Sequence, residues 1–155
     1  MVLIAILFST FTQCQKENNE LSYLNLLDSL SPSKYYSAPI LNGKNTNLNG
    51  TWKVIGTSGG IAGTGYTPDF NYLVIKNNGI FGIIRNGNLI TTGKISILNQ
   101  TEEELRVEFI SEKDPAIVRS EIVQDPEKFI VIHNDTLNLN APCCDRFNTQ
   151  LKRVK

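Results

Sequence analysis

The chain has 155 residues, enough for one domain of ordinary size, and its 41% apolar and 19% charged residues exclude a disordered or polytopic membrane protein. Lys plus Arg and Asp plus Glu number 15 each, and zero net charge argues against a nucleic-acid partner, which selects a basic excess. There is one His, so His-rich metal sites are excluded, and no metal or cofactor is expected.

Residues Val2 to Phe8 are apolar without interruption. The run is too short to span about 30 Å of hydrocarbon, which takes roughly 20 helical residues, and has the length of a signal-peptide core. Cys14 ends it, and the polar stretch Gln15-Lys16-Glu17-Asn18-Asn19-Glu20 follows. An apolar segment, hydroxyl residues and then one Cys resembles the lipobox of bacterial lipoproteins. The resemblance implies a signal peptide over 1–13 and lipid attachment at Cys14, hence a membrane contact through several acyl chains. Gln13 departs from the small residue the family prefers there. Gln15-Lys16-Glu17 further resembles the tether that sends some Gram-negative lipoproteins to the outer cell surface. The implied location is the cell envelope, at the outer membrane.

Residues 14–48 are expected to form a lipidated N-terminus and flexible tether. Leu21, Leu24, Leu27 and Leu30 recur every third residue, a stripe suited to a short helix, which Ser31-Pro32-Ser33 would stop. Asn42-Gly43-Lys44-Asn45-Thr46-Asn47 has little to bury, so the folded domain is expected over 49–155.

From Trp52 onward the sequence reads as short strands separated by turn signals. Strands are expected at 51–57, 71–76, 80–85, 89–98, 105–111, 117–124, 128–133, 136–140 and 147–154. Asn77-Asn78-Gly79 and Asn86-Gly87-Asn88 are tight-turn signals, because Asn and Gly tolerate positive φ. Leu105, Val107 and Phe109 alternate with Arg106 and Glu108, and Leu137 and Leu139 with Asn138 and Asn140, the pattern of strands with one buried face. Phe129 to Ile132 is apolar on both faces. Short connections join neighbours antiparallel, and a long meander loses its two exposed edges by closing. The expected fold is all-β, an antiparallel up-and-down barrel of eight or nine strands.

Asn49-Gly50-Thr51-Trp52 opens the first of these strands with Gly-x-Trp. This resembles the start of the lipocalin and wider calycin group, in which an Arg from the last strand packs over the Trp. Arg153 stands in the last strand here, in phase with Phe147 and Leu151, so Trp52 and Arg153 form the implied structural pair. The mid-barrel Thr-Asp motif and the helix before the last strand are missing, so the chain is most similar to the short lipocalin-like domains of Gram-negative lipoproteins.

Two functions are open. One is binding of a small apolar ligand inside the barrel by Trp52, Tyr72, Phe81 and Phe109. The other is a non-enzymatic interaction or inhibitor lipoprotein with a filled barrel and a protein or glycan partner. An apolar void of about 300 Å³ or more favours the first, and a barrel packed solid the second. Gly59-Gly60-Ile61-Ala62-Gly63-Thr64-Gly65 lacks the Gly-Lys-Ser/Thr of a phosphate loop and suits a connector or a lid over the mouth. Cys143-Cys144 admits either a strained disulfide between neighbours or two thiols. Asp69, Asp114 and Asp125 each adjoin Pro, His133 has no Ser or Cys beside it, and no catalytic residue is expected.

Overall fold

A computed structural model describes residues 23–37, 40–41, 44–45, 47–59, 68–101, 104–143 and 146–155. The chain divides into two compact units, Met1–Leu30 and Ser31–Lys155. In the first, residues 23–29 are helical (α1), Leu27 is buried and Leu26 exposed, as the leucine stripe requires. No helix among the described residues is long and apolar enough to cross a membrane.

The second unit is a closed barrel. After a small hairpin of β1 (Ile40–Leu41) and β2 (Lys44–Asn45) come β3 (Gly50–Gly59), β4 (Tyr72–Ile75), β5 (Ile80–Arg85), β6 (Asn88–Gln100) and β7 (Leu105–Ser111). Two short helices, α2 (Pro115–Val118) and α3 (Glu121–Gln124), precede β8 (Glu127–His133), β9 (Thr136–Asn140) and β10 (Phe147–Arg153). Eight antiparallel strands pair in the order β10-β3-β4-β5-β6-β7-β8-β9, so the first and last strands of the meander close the cylinder. Trp52 pairs with Arg153 and Lys53 with Lys152, and a bulge at Ile55 shifts the register so that Gly56 meets Gln150.

The expected strand over 117–124 is corrected: it folds as α2 and α3. Asp114 caps α2 by accepting from the Ala116 amide, Pro115 supplies a preset φ at its start, and Arg119 ends it in the left-handed region at φ 52°. The β-branched content of Ile117, Val118, Ile122 and Val123 favours a strand, but these local backbone signals prevail.

The compact unit Ser31–Lys155 includes residues on the N-terminal side of β3. The upper stretch of β6 outruns β5, and its free groups are met from the N-terminal side. The Ser33 hydroxyl donates to the Ile95 carbonyl at 2.8 Å, and the Ile97 amide donates to the Tyr35 carbonyl at 3.0 Å. Tyr36 packs against the core, and burial pushes its phenol above the usual tyrosine range.

Inward-facing residues form one cluster: Trp52, Leu73, Ile75, Phe81, Ile83, Ile95, Leu105, Val107, Phe109, Ile130, Leu137, Leu139 and Leu151. Each keeps 1% or less of its surface accessible. A side chain bordering a void large enough for water would keep accessible area, so these side chains fill the space they enclose. Phe81 and Phe109 meet edge to face, ring centroids 5.2 Å apart. Phe81 pairs across the ladder with Gly93, where a Cβ would stand 2.5 Å from the Phe81 ring and 2.3 Å from the Ile110 carbonyl. The missing side chain is what lets an aromatic ring lie flat inside so narrow a cylinder.

Candidate functional site

The two ends of the barrel differ. The end where β3 begins carries the short turns 76–79 and 134–135, and Trp52 and Arg153 seal it. The Arg153 guanidinium lies 4.1 Å from the centroid of the Trp52 ring. Its nitrogens donate to the Asn49 and Asn47 carbonyls, and the indole Nε1 donates to the Leu48 carbonyl at 2.9 Å. Gly50 sits at φ 141°, and a Cβ there would fall 2.6 Å from the Arg153 guanidinium. The glycine of Gly-x-Trp therefore leaves the space in which Arg153 reaches the ring.

The opposite end, the mouth, receives the longer connections. Residues 112–126, with α2 and α3, lie across it as a plug. Val118, Ile122 and Val123 join the buried core from above, together with Phe70. Around them runs a ring of charge. Lys128 is in phase with Ile130, faces inward and is fully buried. Its Nζ lies 3.0 Å from Glu121 Oε1 and 3.0 Å from Asp125 Oδ2. The Thr149 hydroxyl donates to Glu121 Oε2 at 2.8 Å, and Arg146 pairs with Asp125. Two cations thus meet two carboxylates, which offsets the cost of taking them out of water.

On the far side of the plug, Arg85 at the end of β5 donates to the Val118 carbonyl at 3.0 Å, to Asp69 Oδ2 at 3.1 Å and to the Asp69 carbonyl. Burial pushes the Asp69 carboxyl above the usual carboxylate range, against the pull of Arg85. The buried Ser120 hydroxyl also acts on that carboxyl, yet neither Ser120 Oγ nor Asp69 Oδ1 meets a partner at hydrogen-bond geometry.

Beside the plug, β3 outruns the four-residue β4, and the strands diverge beyond Val54, whose amide makes a last bond to the Asn71 carbonyl at 2.9 Å. The divergence leaves an open groove of about 340 Å³ lined by Lys53, Val54, Ile55, Phe70, Asn71 and Tyr72 among others. Ile55, thrown outward by the bulge, is 50% exposed there.

The four residues named from the sequence as a ligand site do not share a surface. Trp52, Phe81 and Phe109 are core side chains, and Tyr72 lies in the groove. Cys143 is exposed; Cys14, Cys144, and Gly60 to Gly65 lie outside the described residues. Among the described residues no group of three His, Cys, Asp or Glu is placed to hold a metal. Sequence reasoning missed Lys128, Glu121, Thr149 and Arg85. The one available signal was the phase of Lys128 with Ile130 and Ile132.

The fold defines a class: a closed, eight-stranded, up-and-down antiparallel barrel, compatible with a lipocalin-like fold. No protein-family model, curated protein or solved structure matches the chain.

Proposed function

We propose that this chain is a non-enzymatic interaction lipoprotein of the bacterial cell envelope, tethered through Cys14, whose lipocalin-like barrel is a solid scaffold for contact with a protein or glycan. The observation that carries this reading is the filled interior. Trp52, Phe81 and Phe109 occupy the volume an enclosed ligand would need, and the plug covers the mouth. The envelope part rests on the lipobox-like run ending at Cys14.

Titration of the native protein with 1-anilinonaphthalene-8-sulfonate tests the scaffold reading. The expected result is no saturable binding. Saturable binding abolished by Tyr72→Ala would overturn it in favour of the second reading, a small apolar ligand held in the Val54–Phe70–Tyr72 groove rather than inside. The anchor is tested separately. Protein expressed in a Gram-negative host is expected to partition into the detergent phase on Triton X-114 extraction, and the Cys14→Ser variant into the aqueous phase. Equal partitioning of the two would remove the anchor and leave the scaffold reading standing.

A further inference from the structure

We propose that residues 115–125 of the 112–126 connection are a hinged plug, which opens as one unit while Glu112 and Lys113 stay bonded to β6 and the eight-stranded barrel stays folded. The inference goes beyond the interaction reading and does not depend on it. Four observations carry it. First, the plug's two helices have four residues each, too few to persist without tertiary contacts, so the segment is either seated or unfolded. Second, its fastening is polar at both sides: Arg85 to the Val118 carbonyl on one, Lys128 and Thr149 to Glu121 on the other. A buried ion pair adds little net stability over apolar packing, because its charges regain hydration when the pair opens. The cohesion left to the seated plug is mainly that of three side chains, Val118, Ile122 and Val123.

Third, the seam is imperfectly satisfied. The fully buried Ser120 hydroxyl acts on the Asp69 carboxyl, but neither Ser120 Oγ nor Asp69 Oδ1 reaches full hydrogen-bond geometry. Both atoms recover hydrogen bonds to water when the plug lifts, so closure carries a cost that the strands do not share. Fourth, the ends of the moving stretch are sharply defined, because each proline fixes its own φ and restricts the residue before it. Asp114-Pro115 and Asp125-Pro126 bracket it, and Arg119 in the left-handed region breaks it in the middle. The Phe109 amide donates to the Pro126 carbonyl, which pins the distal hinge to β7. Opening would uncover Lys128 and the apolar rim at Phe70 without disturbing any strand pairing.

Native-state hydrogen exchange on the full chain tests the plug. The amides of Ile117, Val118, Arg119, Val123, Gln124 and Asp125 are all hydrogen-bonded within the segment and report its opening. They are expected to share one protection factor, lower by about 100-fold or more than that of the Ile130 and Leu139 amides in the barrel. Protection equal to that of the strands overturns the proposal. So do six unequal protection factors, which would mean independent fraying of the two helices.

Discussion

Replacement of Arg153 by Met removes the charge that seals the end where β3 begins while keeping an apolar cover on Trp52. Three interactions disappear together: the guanidinium stack at 4.1 Å and the donations to the Asn49 and Asn47 carbonyls. The stack is worth about 0.5–2 kcal/mol, depending on its desolvation. A hydrogen bond to a charged group adds about 1.5–3 kcal/mol when buried and less at this half-exposed position. The expected loss is about 2–4 kcal/mol, or roughly 5–15 °C in Tm for a chain of this length. Trp52 is the only tryptophan, so its fluorescence reports both unfolding in urea and local hydration of the indole in the native state. Arg153→Lys should recover less than half of the loss, because an ammonium cannot lie flat on the ring and reach two carbonyls at once. An Arg153→Met midpoint within 0.5 kcal/mol of the parent (a bound set by the ~0.5 kcal/mol spread of surface substitutions) would refute the assignment of Arg153 as a closure element.

Other sites give further tests. Gly93→Ala should destabilise by about 1–3 kcal/mol in urea unfolding, because the new Cβ drives into the Phe81 ring and the Ile110 carbonyl. Lys128→Met should cost about 3–5 kcal/mol at neutral pH by leaving Glu121 and Asp125 without their buried cation, and adding Glu121→Gln and Asp125→Asn should return part of it. Asp69 binds its proton more tightly folded than unfolded. Its contribution to stability is therefore fully present below the ordinary carboxylate value and is lost as pH rises through the raised one. Asp69→Asn should reduce the decline in stability as pH rises above about 4, and an unaltered urea-midpoint profile would contradict the burial of that carboxyl.

The barrel was legible because its signals are local. β7 and β9 run over the residues that alternation assigns to them, and β5, buried on both faces, over those bracketed by its two Asn-Gly turn signals. The segment 117–124 was not legible from the same pattern. Its β-branched residues suit a strand, and only the Asp114-Pro115 cap and the backbone reversal at Arg119 decide otherwise. The mouth was the least legible part. A lysine flanked by Glu127 and Phe129 reads as a surface residue, and what makes Lys128 a core residue is the arrival of Glu121 and Asp125 from another element. The groove follows from unequal strand lengths, ten residues in β3 against four in β4, which no periodicity encodes.

Why the interior is full follows from the size of the cylinder and of what lines it. Eight strands enclose a space just wide enough for side chains or for one small ligand, so the choice rests on side-chain volume. Here Trp52 closes one end, Phe81 and Phe109 meet edge to face, and Gly93 gives up its own side chain to admit a ring. Phe109→Ala removes one of the two meeting rings and should cost about 3–5 kcal/mol, part of it for the cavity left behind. An apolar cavity of that kind stays dry and takes up benzene. Saturating benzene should therefore raise the Tm of Phe109→Ala and leave that of the parent unchanged. A comparable rise in the parent would mean that a void already exists among these side chains, and the scaffold reading would yield to that of a carrier.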